Sequence, residues 1–233
     1  MEEFDHGGQR KRMTWLSGPV RTPGTGPEAF YSETLGEGAA TRPHFHQVDQ
    51  FQVFLEGCQQ LGSAAVAPVT LHYVDAFTPY GPIVGDETGV HYLTLRARCD
   101  PGALFMPESR PLRRTLGGRH ASVAVPIDPA TTAPAWRTLI EPQPDGLGAE
   151  VAAIGALGAI EGHIRAAGGG QVYVVVKGGL RRDGRDHPLL SSLFAAPDED
   201  PGRLQAGPEG MVLLALGFPA IDTGRPNSGL PTT

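Results

Sequence analysis

Residues 43–50 read Pro-His-Phe-His-Gln-Val-Asp-Gln, and Gly57 follows after six further residues. His44 and His46 are separated by one residue, and Gln50 lies four residues beyond the second histidine. Residues i and i+2 of a β-strand point to the same face. In an extended chain His44, His46 and Gln50 therefore share a face, on which their side chains can meet.

A second and fainter copy of the segment after this stretch occurs later in the chain. Four pairs of residues are separated by the same offset of 121 (for example 171 − 50): Gln50 and Gln171, Gly57 and Gly178, Gly81 and Gly202, and Gly89 and Gly210. An offset that is constant over so many positions predicts an internal repeat. We expect two copies of one strand–turn–strand unit, over about residues 30–110 and 150–220.

The apolar segments of the chain are short, and they are separated by turn residues. The chain contains 32 glycines and 22 prolines without any period, as expected for turns between many short strands. Residues 147–160 are rich in alanine, but they also contain glycines that disfavour a helix. We predict an all-β protein with strands at 51–55, 69–74, 90–97, 121–125, 171–176, 189–195 and 211–216.

The pattern His44-x-His46-x3-Gln50-x6-Gly57 resembles the first sequence motif of the cupin superfamily, which has a glutamate at the position of Gln50. Residues 79–81, Pro-Tyr-Gly, resemble the second motif, although Val84 stands where that motif has a histidine. The resemblance covers most of residues 40–100 and, through the repeat, part of the second half. It implies two tandem cupin, or jelly-roll, barrels in one chain.

The resemblance also implies a site that holds a divalent ion of Fe, Mn, Ni, Zn or Cu. Its metal ligands here would be His44, His46 and Gln50. Because Val84 cannot coordinate, a further donor is needed. Strand parity favours His91, which would enter the barrel if its alternate neighbours Leu93, Leu95 and Ala97 fill the interior. His72 is the alternative metal ligand.

Two classes of function are compatible with this site. The first is a cupin enzyme acting on a small organic molecule, possibly through a metal, as an oxygenase, isomerase, cyclase or lyase, with Gln50 and Tyr80 as candidate catalytic residues. The alternative for Tyr80 is a turn residue of the Pro-x-Gly bend. The second class is a metal-free cupin that binds a small molecule as a sensor or carrier. The second copy has Arg165 and Ala167 in place of the two histidines, so we expect no site there.

Composition excludes several partners and predicts the compartment. The formal net charge is −6, from 19 basic and 25 acidic residues, which argues against nucleic acid. No apolar run is long enough for a membrane span, and the start Met-Glu-Glu lacks the apolar region of a secretory signal. Cys58 and Cys99 are expected to be free thiols. We therefore expect a cytoplasmic protein, and the cupin resemblance implies a possible homodimer.

These observations predict five segments. Residues 1–13 form a disordered N-terminal segment, and residues 14–110 form the N-terminal barrel with the site. Residues 111–146 are a proline-rich connection, residues 147–225 form the C-terminal barrel, and residues 226–233 are a tail.

Overall fold

The structure, a computed structural model, describes residues 1–6, 9–17, 22–36, 38–115, 117–127, 134–163 and 165–220. Within these residues the regular secondary structure consists of twenty β-strands and one short 3-10 turn, Arg110–Leu112. The all-β prediction is confirmed. The predicted tail at residues 226–233 lies outside the described residues.

The first half of the chain builds one barrel from two facing sheets and a two-stranded ribbon. Its strands are β1 (Glu2–His6), β2 (Gln9–Ser17), β3 (Glu28–Leu35), β4 (Ala40–Thr41), β5 (His44–Phe45), β6 (Gln50–Glu56), β7 (Cys58–Leu61), β8 (Ala64–Ala65), β9 (Thr70–Val74), β10 (Ile83–Gly85), β11 (Val90–Arg96), β12 (Leu104–Phe105) and β13 (His120–Ala124). The larger sheet has the order β1-β2-β3-β11-β6-β9-β13, and the smaller one β4-β10-β7-β8. Part of the barrel interior is apolar, with Phe54, Leu61, Ile83, Val90 and Tyr92 in one buried cluster.

The second half builds its barrel from fewer strands, which belong to one sheet. Its strands are β14 (Arg137–Ile140), β15 (Gly148–Ile154), β16 (Ala159–Glu161), β17 (Gln171–Arg182), β18 (Arg185–His187), β19 (Ser192–Ala195) and β20 (Arg203–Gly217). They form one sheet in the order β14-β15-β20-β17-β18, in which β16 also pairs with β20 and β19 with β17. Ile154, Tyr173, Leu204 and Met211 belong to a second buried hydrophobic cluster, inside this half.

Strand register confirms the internal repeat. In the first half Phe51 pairs with Leu95 and Val53 with Leu93. In the second half the pairs are Val172 with Leu216 and Val174 with Leu214, each shifted by 121 residues (172 − 51, 214 − 93). The predicted repeat therefore corresponds to equivalent strand pairs in two barrels.

The glycines of the repeat also have equivalent environments. Gly57 and Gly178 adopt positive φ angles of 74° and 70°. A Cβ atom at Gly57 would collide with the carbonyl oxygen of Gly89, and one at Gly178 would collide with that of Gly210. Only glycine permits both the left-handed backbone and this close approach. The offset of 121 residues between Gly57 and Gly178 is thus explained by the same tight turn in both barrels.

The two barrels pack against each other through the outer faces of their large sheets. One buried cluster joins Phe51, Leu71, Leu93 and Leu95 of the first sheet to residues of the second, among them Val151, Val174, Leu214 and Leu216. The central strands β6, β9 and β11 of the large sheet are therefore buried on both faces. One face lines the barrel interior, and the other forms the contact between the barrels.

The prediction of disorder for residues 1–13 is wrong, because β1 and most of β2 lie there and form an antiparallel hairpin. β2 also pairs with β3 along its length, so its backbone groups are satisfied in the sheet although its sequence is polar. The predicted connection, residues 111–146, is likewise partly structured: β13 pairs with β9 of the first barrel and β14 with β15 of the second.

Two smaller expectations can be compared with the structure. Cys58 and Cys99 are both buried, and neither forms a disulfide bond, as expected. The part of the chain that the structure describes contains no helix with the length and hydrophobicity needed to span a lipid bilayer.

Candidate functional site

The first barrel encloses a cavity of about 350 Å³ beneath strands β2, β3 and β11. Its aromatic wall residues are Trp15, Phe30, Tyr80, Tyr92 and Phe105. Its charged wall residues are Lys11, Glu28, Arg96 and Asp100, and His44, His46 and Gln52 also line it. The cavity therefore has an apolar wall with a small number of polar groups, as ligand sites commonly have.

Strand alternation explains which side chains reach the cavity. On β11, Tyr92, Thr94 and Arg96 line the cavity, whereas Leu93 and Leu95 belong to the cluster between the barrels. Because successive side chains of a strand point to opposite faces, these two sets cannot mix. The interior of the barrel thus carries the more polar residues of β11.

His44 and His46 lie side by side in this interior, with their ring centroids 5.2 Å apart. Nδ1 of His44 is 2.8 Å from the carbonyl oxygen of Arg42, which can only accept, so Nδ1 carries the proton. Nδ1 of His46 is 2.7 Å from Oδ2 of Asp100 and donates to it in the same way. Both histidines therefore have a lone pair on Nε2.

Burial keeps both histidines neutral. Desolvation lowers the pKa of His44 to about 3. Desolvation and the positive charge of Arg96 lower the pKa of His46 to about 4. Burial acts to raise the pKa of Asp100, but its hydrogen bond with His46 and the nearby Arg96 lower it on balance. At neutral pH the site thus holds two neutral imidazoles beside an ionised Asp100.

Arg96 is the central charged group of the site, and its side chain is only 6 % exposed. Its Nε and Nη2 donate to Oε1 of Gln50 at 3.0 and 2.9 Å. Nη1 pairs with Oε1 of Glu28 and lies 3.8 Å from Oδ2 of Asp100. Nη2 also lies 3.1 Å from Nδ1 of His46, and because that nitrogen donates to Asp100, this is a close contact between two donors. The guanidinium is thereby held between Gln50, Glu28, His46 and Asp100.

Tyr80 is the middle residue of the Pro-x-Gly bend, and its side chain lies inside the barrel. Nε2 of Gln50 donates to its hydroxyl group at 2.7 Å, and its ring packs 4.5 Å from that of His44. Burial raises the pKa of Tyr80, so the hydroxyl group stays protonated. Gln50 therefore uses its amide to join Tyr80 to Arg96, and both predicted residues belong to one buried hydrogen-bond network.

A resident metal ion does not fit this set of side chains. Gln50 could coordinate an ion only through Oε1, and that atom already accepts two hydrogen bonds from Arg96. Among the described residues, no group of three or more His, Cys, Asp or Glu side chains could hold an ion. The anchored Nδ1 atoms of His44 and His46 do suit ligating histidines, which usually donate in this way. Two imidazoles without a third donor, beside a guanidinium, still make a poor site.

The prediction that His91 enters the barrel is wrong. Its parity with Leu93 and Leu95 is correct, but that face of β11 packs toward the second barrel. Nδ1 of His91 lies 3.0 Å from the hydroxyl group of Tyr31, and 3.9 Å from the carboxylates of Glu33 and Glu56. His91 therefore lies on the outer face of the first barrel, away from the cavity.

His72 does lie on the inner face. Its ring is 5.3 Å from that of Tyr80, and its Nδ1 is 3.0 Å from the hydroxyl group of Ser122. Nε2 is buried without a hydrogen-bond partner in the described part of the chain, and burial lowers the pKa of His72 to about 4. His72 does not form a group with the other two histidines that could hold an ion.

Sequence reasoning missed Arg96, Glu28, Asp100 and Lys11. The strand pattern contains a signal for Arg96. Leu93 and Leu95 point to one face of a buried strand and Arg96 points to the other, where a buried arginine needs charged or hydrogen-bonding partners. Glu28 lies 68 residues before Arg96, with which it pairs. It lies 72 residues before Asp100, whose backbone N–H donates to its carboxylate. Such separations carry no local pattern.

Known structures of low sequence identity share this architecture over nearly the whole chain. Pirin YhhW from Escherichia coli, solved with nickel(II), is 15 % identical, with 94 % of this chain and 96 % of that chain covered and a TM-score of 0.56. The chain has a bicupin fold. The 11S globulin from Wrightia tinctoria, whose structure reveals an auxin binding site, is 12 % identical, with coverages of 95 % and 82 % and a TM-score of 0.61.

A third bicupin, quercetin 2,3-dioxygenase from Acinetobacter baumannii, is 12 % identical, with 95 % of this chain and 78 % of that chain covered and a TM-score of 0.55. No protein-family model matches the sequence, and no curated protein shows a significant match. The similarity therefore establishes the fold, and the chemistry of this bicupin has to be argued from its own residues.

Proposed function

We propose that this bicupin binds a small organic molecule in the cavity of its first barrel without a resident metal ion, as a sensor or carrier. The observation that carries the proposal is the pair of hydrogen bonds from Arg96 to Oε1 of Gln50. They engage the atom that a metal ion would need. The guanidinium, which pairs with Glu28 and lies near Asp100, takes the place of an ion in organising the site.

The cavity itself supports a small ligand. Its volume of about 350 Å³ is within the range of small-molecule sites. Aromatic side chains such as Trp15 and Phe105 supply contact area, and His44 and His46 present acceptor nitrogens. In the second barrel Arg165 and Ala167 stand where the first barrel has His44 and His46, which supports a structural role for it.

Metal analysis of the protein purified without a histidine tag tests the proposal. We expect Fe, Mn, Ni, Zn and Cu contents well below one ion per chain, and the same values for a His44→Ala variant. His91→Ala is the matched control, because that histidine lies on the outer face. About one ion per chain in the wild type, lost in His44→Ala and retained in His91→Ala, would contradict a metal-free site.

A second candidate is an enzyme that transfers protons, as isomerases and lyases do. The observation that favours it is the hydrogen bond between His46 and Asp100, which orients the imidazole and leaves Nε2 as a proton acceptor. The low pKa of His46 keeps it unprotonated at neutral pH but makes it a weak base. Exchange of a ligand C–H for deuterium in D₂O, catalysed by the wild type and lost in His46→Gln, would support catalysis.

The proposal also covers the cellular compartment and the oligomeric state of the protein. Two buried cysteines that form no disulfide bond support a reducing compartment, and we propose the cytoplasm. A homodimer remains an inference from the family, and sedimentation velocity would detect it.

A further inference from the structure

We propose that the ligand of this cavity is a small monocarboxylate whose carboxylate group binds the ammonium group of Lys11. This inference rests on the proposed function and adds the chemical class of the ligand. It follows from one cation in the cavity wall that has no carboxylate partner among the described residues, together with an acceptor farther along the same wall that is unpaired among them.

Lys11 lies on β2, whose alternate residues Lys11, Met13 and Trp15 all line the cavity. Its Nζ donates to Oγ1 of Thr41 at 3.0 Å. Within the described residues no carboxylate forms an ion pair with it, and the surrounding protein lowers its pKa to about 8 by desolvation. A partly buried ammonium group with only a neutral partner is costly, and an anionic ligand would offset that cost.

Arg96, the other cation of the cavity wall, is not available to bind a ligand carboxylate. Arg96 is paired with Glu28 and lies near Asp100, so the net charge of that group is negative. A carboxylate would be repelled there and attracted to Lys11. Strand register places Lys11 and Arg96 toward opposite ends of the cavity, because Lys11 pairs with Thr34 on β3 and Arg96 pairs with Glu28 on the same strand. Those partners are six residues apart on β3, or about 20 Å at 3.3 Å per residue.

Gln52 supplies the second recognition point. It is only 2 % exposed, it lines the cavity, and its Oε1 has no hydrogen-bond partner in the described part of the chain. Gln52 belongs to the row of paired residues Thr94, Phe30 and Trp15, which is four residues from the row of Lys11. The backbone positions of Gln52 and Lys11 are thus about 13 Å apart along the strands. The distance between their polar atoms is shorter, because the lysine side chain is long.

The ligand that matches these points has a carboxylate at one end and a hydrogen-bond donor, such as a hydroxyl group, at the other. Its body would lie against aromatic side chains, among them Phe30 and Tyr92, and a flat body suits such walls. The donor would satisfy Oε1 of Gln52, and the carboxylate would satisfy Lys11.

Calorimetric titration with matched probes tests the inference. The probes are 4-hydroxybenzoate, its neutral counterpart 4-hydroxybenzamide, and benzoate, which lacks the donor. We expect the wild type at pH 7 to bind the acid roughly 10-fold to 100-fold more tightly than the amide, as for a charge-assisted hydrogen bond. Benzoate should bind more weakly than 4-hydroxybenzoate.

Variants at the two lysines of the chain make the test specific. Lys11→Met and Lys11→Gln should bind the acid and the amide equally. Lys177→Met, at a lysine whose Nζ contacts the carbonyl oxygen of Ile127, should keep the preference of the wild type.

Equal affinities for acid and amide in the wild type, an unchanged preference in both Lys11 variants, or no saturable binding of the acid would each overturn the inference. The titrations are repeated after dialysis against EDTA. A preference for the acid that persists after EDTA dialysis supports both the metal-free site and the carboxylate ligand. Binding that is lost together with the metal would contradict the metal-free function.

Discussion

The guanidinium group of Arg96 and the side-chain carbonyl oxygen of Gln50 are joined by two hydrogen bonds of 3.0 and 2.9 Å. Gln50 stands where the cupin motif has a glutamate, a possible ligand of an ion. Here it acts as an acceptor for a protein cation and, through its amide, as a donor to Tyr80. The site is therefore built around a fixed positive charge on β11.

Replacing Arg96 should destabilise the first barrel strongly. The variant Arg96→Met leaves Glu28 and Asp100, which are 2 % and 0 % exposed in their side chains, without their cation. Removal of one partner of a buried ion pair costs about 3–5 kcal/mol. Urea unfolding measures the change in the free energy of unfolding. Arg10→Met, which breaks an exposed pair with Glu3, is the control and should cost less than about 1 kcal/mol. Similar values for the two variants would show that the buried network contributes little.

The double variant Gln50→Glu/Arg96→Met should acquire an ion site. It removes the guanidinium and adds a carboxylate next to His44 and His46, whose Nε2 atoms are free to coordinate. We expect Mn²⁺ or Ni²⁺ to raise the melting temperature of the double variant but not that of the wild type. Adding His44→Ala should remove the effect. A folded double variant that binds no ion in equilibrium dialysis would show that Arg96 is not what excludes metal.

The protein should lose stability when the pH falls from 6.5 toward 4. Burial holds the pKa of His72 at about 4, below the value of about 6.5 in an unfolded chain. In this interval the unfolded state binds more protons than the folded state, so the free energy of unfolding decreases as the pH falls. His44 and His46 act in the same direction. Urea unfolding at several pH values should give a shallower dependence for His72→Gln, which cannot titrate. Equal slopes for the two proteins would mean that His72 is not buried in its neutral form.

The two equivalent glycines of the repeat should be equally intolerant of substitution. Gly57→Ala and Gly178→Ala place a Cβ atom against the carbonyl oxygens of Gly89 and Gly210, in addition to the strain of a positive φ. Gly184→Ala is the control, since its φ is 73° and no atom lies within 4 Å of its added Cβ atom. That variant should lose only about 1 kcal/mol from the backbone, and the other two clearly more. Thermal unfolding followed by circular dichroism gives the comparison. Losses at Gly57 and Gly178 no greater than at Gly184 would contradict the close packing.

The all-β class, the repeat and the position of the motif could be predicted from the sequence because each depends on local pattern. Short alternating runs identify strands, and positions such as Gly57 and Gly178 keep a constant offset because the same turn requires glycine in both copies. The parity of His44 and His46 likewise predicts that they share a face. The structure places both on the inner face of the first barrel.

The tertiary structure decided what the site contains. Alternation divides β11 into two sets of side chains, one with Leu93 and Leu95 and the other with Tyr92, Thr94 and Arg96. From hydrophobicity alone the leucines would fill the interior, and this pattern predicts His91 at the site. The second barrel covers the leucine face instead, so both faces of β11 are buried. Only the docking of the two barrels determines that Arg96, and not His91, enters the cavity.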